Sequence, residues 1–179
     1  YAMCLGKSFM KLYPEYELTP EKLVQIGWAS SLHDIGKIAI PDSIILKPAK
    51  LTPDEFELIK SHTTKGAEII QQRVQLNDRA IYEYAYDIAR HHHEKYDGKG
   101  YPDGLKGDEI SIAAQIVSLV DVYDALTSKR VYKIAYESDK AYQMILNGHS
   151  GTFSPKLLKA FAEVKPRVEH LLEMYRDED

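Results

Sequence analysis

The chain's 179 residues are 44% hydrophobic and 28% charged. A chain of that size and balance buries roughly 70% of its unfolded surface in a single domain, residues 1–179, which excludes a disordered tail and a mini-protein. Its 27 acidic residues outnumber 23 basic ones, a formal charge of −4, so the broad basic face that bulk nucleic acid requires is not expected. The lone Cys4 can close no internal disulfide and build no thiolate zinc site, no run of about 18 uncharged apolar residues is present, and no signal peptide opens the chain; a cytoplasmic protein without membrane insertion is expected.

Helical periodicity recurs throughout while alternating β-branched runs are missing, so the fold class expected is all-α. Thr19-Pro20-Glu21 supplies an N-cap and a first-turn proline for a helix that should run toward His33 and end near Gly36. Thr52-Pro53-Asp54-Glu55 repeats the signal with a capping box, and that segment carries His62 at or just past its end. Ile69 and Ile70 mark a further helical stretch, and Ala80 to Ala89 fall at helical spacing and deliver Arg90-His91-His92-His93-Glu94 near a helix terminus. Asp97 to Gly104 holds too many helix breakers to be anything but a loop. Ile112 to Leu126 is apolar on almost every side and reads as the central buried helix; Ser154-Pro155 opens the last helix, where Lys165-Pro166 predicts a kink or break.

Five of seven histidines stand at His33, His62 and His91 to His93. Asp121, set among Val117, Leu119, Val120 and Val122, is expected to be buried, and an ionised carboxylate there needs something positive facing it. Taken together, His33, Asp34, His62, His92, His93 and Asp121 form a nitrogen and oxygen donor set without thiolate, suited to iron, manganese, nickel or zinc. Asp34 has two oxygens and is the natural bridge between two ions. Paired ions roughly 3.5–4 Å apart lower the pKa of a shared water and hold a phosphoryl oxygen, which is phosphoester hydrolysis. Asp124, one turn beyond Asp121, is assigned a supporting role; His91 reads as a helix-end residue, and His149 and His170 as surface or packing residues.

Leu32-His33-Asp34-Ile35-Gly36-Lys37, His62, His92-His93-Glu94-Lys95-Tyr96-Asp97-Gly98-Lys99-Gly100-Tyr101-Pro102 and Asp121-Val122-Tyr123-Asp124 together resemble the HD-GYP family, in its order and approximate spacing. That resemblance implies an HD-type helical bundle and a bacterial, metal-dependent phosphodiesterase that opens cyclic di-GMP to pGpG, GMP or both. It carries metal-ligand roles to the six residues above, a catalytic role to Asp34 and Lys37, and substrate contacts to Lys37, Tyr101, Arg130 and Lys133. Two divalent ions are implied, iron or manganese first and zinc or nickel next, with a third left open. The Gly-Tyr-Pro loop is implicated in the family in contacts with diguanylate cyclase (GGDEF) domains, and Glu94 and Asp97 are expected to brace it. Family members carry a Glu-Thr-Gly-x-His pattern upstream of the HD pair. Tyr1 to Leu5 resembles the stretch just downstream of that pattern, so the given sequence is expected to start after the family's first metal-binding motif, behind an upstream sensory or receiver domain. Val131 and Ala39 replace a usual proline and glycine without removing a chemical group. Two other readings stay open: an inactive module that binds the dinucleotide or a cyclase, and an HD phosphohydrolase acting on another nucleotide.

Overall fold

A computed structural model describes residues 1–73, 78–128 and 135–176, and all statements below concern these residues. Nine α-helices succeed one another: α1 (Ala2–Leu12), α2 (Pro20–Ser30), α3 (Asp42–Ile45), α4 (Pro53–Lys60), α5 (His62–Arg73), α6 (Arg79–His91), α7 (Ile112–Thr127), α8 (Ser138–Leu146) and α9 (Pro155–Arg176). No strand is present among the described residues, in agreement with the all-α expectation, and none of the described helices is long and apolar enough to cross a membrane.

The helix starts follow local chemistry. Thr19 accepts from the backbone N–H of Lys22 at 3.2 Å, and Thr52 and Glu55 form the expected capping box, with Lys47 pinning the Glu55 carboxylate. Such caps contribute about 1 kcal/mol each. Asp78 and Ser111 cap α6 and α7 in the same way.

Helix α7 is central, as its composition predicts. Ile116, Leu119 and Tyr123 pack with Leu5 and Phe9 of α1, Ile145 of α8 and Leu157 and Phe161 of α9; Ala113 and Val117 pack with Leu23 and Ile26 of α2, Ile70 of α5 and Ile88 of α6. One helix thus joins two apolar clusters, and each fully buried aliphatic chain in them is worth about 1.5–3 kcal/mol. The scaffold that carries the histidines, α2, α5 and α6, is the second cluster.

Two expectations are corrected. Helix α2 ends at Ser30, not near Gly36, and the chain turns through Ser31 to Asp34 into a short 3₁₀ segment, Ile35–Ala39. The cause is contact with α5: a Cβ on Gly36 would lie 1.9 Å from the His62 carbonyl oxygen, so the backbone approaches too closely for any other residue. His33 and Asp34 therefore sit on a tight turn. Helix α9 continues through Pro166 without a break. Phe161 on one side of the proline and Val168 and Leu172 on the other are buried, so packing on both sides outweighs the lost hydrogen bond.

Candidate metal centre

Four regions deliver the candidate residues to one place: the turn after α2, the start of α5, the end of α6 and the middle of α7. Three imidazoles are oriented by backbone. His33 Nδ1 donates to Ser30 O at 2.7 Å, His62 Nδ1 to Ile59 O at 2.6 Å and His92 Nδ1 to Ile88 O at 2.9 Å. A carbonyl only accepts, so each Nδ1 carries a proton, and the neutral rings of His62 and His92 offer their Nε2 lone pairs to the interior.

Those lone pairs converge. His62 Nε2 and His92 Nε2 are 3.4 Å apart, and Asp34 Oδ1 lies 3.5 Å from the first and 3.9 Å from the second. Asp34 Oδ1 is buried with no hydrogen-bond partner. His93 adds a further ring 4.1 Å from His92 and 5.1 Å from His62, and ligand atoms of His62, His92 and His93 all fall within 4.8 Å of one another. Burial pushes His62, His92 and His93 below the usual imidazole range, His92 to about 4, with the charge of His33 as its second cause. Neutral nitrogens and a carboxylate oxygen facing one point with no proton between them repel one another. A divalent cation placed there satisfies all of them, and the donor set fits one.

The other side of Asp34 is different. His33 Nε2 is 3.3 Å from Asp34 Oδ2 and 3.7 Å from Asp121 Oδ1, and Lys37 Nζ is 2.5 Å from Asp34 Oδ2. Burial alone pulls the His33 imidazolium down, but Asp121 and Asp34 overcome it and raise its pKa to about 10. Burial also opposes the Asp34 charge, yet His33 and then Lys37 hold its carboxyl well below the usual range; His33 does the same for Asp121. A positive group faces Asp121, as its neighbours in sequence require. Its expected burial is corrected: the side chain is 23% exposed, because this face of α7 borders a cleft of about 200 Å³ shared with His33 and the exposed Asp124.

The Gly100-Tyr101-Pro102 loop folds back on the histidines. A Cβ on Gly100 would lie 2.4 Å from Glu94 Cα, so glycine is required there. Glu94 Oε1 accepts from the backbone N–H groups of Asp103 (2.7 Å) and Gly104 (3.0 Å), and Asp97 accepts from Lys99 N and Thr152 Oγ1. Both acids brace the loop, as expected. Tyr101 lies against His93 with ring centroids 5.0 Å apart, and burial pushes its phenol pKa up, so it stays a proton donor.

His91 is corrected in one respect. It points away from the cluster, but it is not a free helix-end residue: it bonds Asp87 Oδ1 (2.7 Å) and Asp103 Oδ2 (3.0 Å), and Arg90 clamps Asp103 with two 2.7 Å bonds. Sequence reasoning missed this network, and it missed Phe56 and Lys60. The Lys60 ammonium lies 5.0 Å from the Phe56 ring centroid and 5.6 Å from that of Tyr101. Only the i, i+4 spacing of Phe56 and Lys60 hinted that they share a helix face. His149 and His170 are exposed. Arg130, Val131 and Lys133 lie outside the described residues.

Comparison with known proteins identifies the family. The family model for the HD domain matches residues 7–157. A probable cyclic di-GMP phosphodiesterase of Vibrio cholerae is 42% identical over 90% of this chain and 37% of its own length. A 3'3'-cGAMP-specific phosphodiesterase 2 of the same organism is 39% identical over 83% of this chain and 28% of its own. The chain thus spans about a third of these relatives. A solved HDG"Y"P protein from Bdellovibrio bacteriovorus superposes with a TM-score of 0.63 at 20% identity, over 91% of this chain and 50% of that one, and shares the fold. With the HD pair on its turn, the histidine cluster and the Gly-Tyr-Pro loop in contact, the chain belongs to the HD domain family, as an HD-GYP member.

Proposed function

We propose that this chain is a metal-dependent phosphodiesterase that opens cyclic di-GMP to pGpG, GMP or both. The observation that carries the reading is the convergence of His62 Nε2, His92 Nε2 and the unpartnered Asp34 Oδ1 on one point. His62, His92, His93 and Asp34 Oδ1 would hold one divalent ion; His33, Asp34 Oδ2 and Asp121 would hold the second, with iron or manganese put first by the family resemblance and zinc or nickel equally compatible with the nitrogen and oxygen donors. When bound, such a pair supplies Lewis acidity and an acidified water. Asp34 sets the spacing of the two sites through its two oxygens. Lys37, beside Asp34 Oδ2, places its ammonium where charge grows on a phosphoryl oxygen during displacement. Tyr101 keeps its phenolic proton and supplies a donor and a ring face beside His93. Arg130 and Lys133 are assigned to the phosphates, and the Gly-Tyr-Pro loop is the candidate surface for a GGDEF partner.

A second reading, hydrolysis of a different cyclic dinucleotide, is favoured by one observation: the 39% identity to a relative named as 3'3'-cGAMP-specific. Anaerobic purification, elemental analysis of metals and chromatography of both dinucleotides test the two. The expected result is about two ions per chain and faster cleavage of cyclic di-GMP, with Asp34→Ala slowing turnover by about a thousandfold or more, the equivalent of several kcal/mol of lost charge stabilisation. Preference for 3'3'-cGAMP would transfer the case to the second reading. Binding without cleavage by the metal-loaded chain would make it a recognition module.

A further inference from the structure

Two clefts flank the histidine cluster, and they differ in chemistry. The one beside His33 is bordered by the carboxylates of Asp121 and Asp124. The other, about 210 Å³, opens beside His93 and is lined by Phe56, Tyr101, Phe153 and Ser118. Phe56 is 46% exposed although a phenyl ring normally contributes its area to a core, and neither apolar cluster includes it. The Lys60 ammonium stands over the faces of both Phe56 and Tyr101. Ring faces that attract an ammonium also take a flat heterocycle, and base stacking on such platforms contributes about 1–3 kcal/mol per base. Among the described residues, the carboxylate paired with Lys60 is Glu57 at 2.6 Å, whose side chain is 69% exposed, so exchanging that partner for a phosphate costs little. At the edge of the aromatic cleft the Lys60 ammonium therefore offers a phosphate a cation beside two ring faces.

We propose that the cleft of Phe56, Tyr101 and Phe153 seats one purine base of the cyclic dinucleotide, stacked against the Phe56 and Tyr101 rings, with Lys60 meeting the phosphate adjoining that base. The proposal rests on the phosphodiesterase reading and adds to it a base seat outside the histidine and aspartate cluster.

Steady-state kinetics of the metal-loaded chain test it, with cyclic di-GMP as substrate and methyl p-nitrophenyl phosphate as a phosphodiester without a base. Phe56→Ala is expected to raise KM for cyclic di-GMP roughly tenfold with kcat within about threefold. Lys60→Met should raise it in the same direction, and Phe56→Tyr should restore the parent value. Turnover of methyl p-nitrophenyl phosphate should stay at the parent level in Phe56→Ala and Phe56→Tyr. An unchanged KM in both Phe56→Ala and Lys60→Met overturns the base seat and leaves the phosphodiesterase standing. Equal losses on both substrates also overturn it, since Phe56 then supports the centre or the fold. A parent that leaves cyclic di-GMP uncleaved defeats the substrate reading, and the base seat with it.

Discussion

Asp34 separates two unlike halves of the candidate centre. On its Oδ1 side stand His62, His92 and His93, the first two 1% exposed, with neutral nitrogens. On its Oδ2 side stand His33, Asp121 and Lys37, between about a quarter and two fifths exposed, already paired as ions. The rings of His33 and His92 are only 5.1 Å apart, yet His33 is pushed up to about 10 and His92 down to about 4. Burial opposes the charged form of both; carboxylate neighbours reverse its effect on His33, whereas His92 meets the charge of His33. The carboxylate half compensates its own charge, while the imidazole half depends on an external cation to satisfy its lone pairs.

The largest expected effect sharpens that contrast directly. His62→Ala should abolish turnover to within about a thousandth of the parent and remove the ion of the imidazole half, whereas His33→Ala should leave that ion in place and lose only the other. Elemental analysis after dialysis reads the stoichiometry; equal loss of both ions in both variants would show one indivisible centre. Next comes the seam between the halves. Gly36→Ala drives a Cβ into the His62 carbonyl carbon and oxygen and the Gly66 amide nitrogen, all backbone, and should cost about 3 kcal/mol or more in denaturant unfolding. A parent-like midpoint would mean that the HD turn can part from α5 freely.

Chelation should have a slightly smaller effect. An ion held at about a hundred times its dissociation constant stabilises the native chain by about 2.7 kcal/mol, so stripping it should lower Tm by roughly 5–10 °C. An unchanged Tm would break the claim that the imidazole half depends on a cation. The smallest effect is at the edge of the loop: Asp103→Ala removes the Arg90 and His91 bonds, which are partly exposed, and should cost about 0.5–1 kcal/mol with metal content unaltered. Loss of metal in that variant would extend the imidazole half into the loop.

Much of this was legible in order along the chain. The Thr19 and Thr52 caps, the apolar course of α7 and the inventory of histidines and aspartates depend on neighbours within a few residues. The end of α2 was not legible, because the contact that stops it joins Gly36 to His62 across two intervening helices. Nor was the persistence of α9 through Pro166, which depends on burial at both ends, or the partial exposure of Asp121, which depends on a cleft beside α7. The His91 network and the Phe56 and Lys60 pair were hidden for the same reason: an i, i+4 spacing shows that two residues share a face and says nothing of what that face meets.

The amino-acid order alone determined where helices begin, which of them is central and which donor atoms the chain owns, since capping and periodicity act over one or two turns. Only the packing of α2, α5, α6 and α7 decided that three ordered imidazoles and both oxygens of one aspartate meet, and that their two sides carry opposite charge preferences. Those outcomes depend on distances between segments far apart in the chain, and burial of both faces of α7 is what holds those distances.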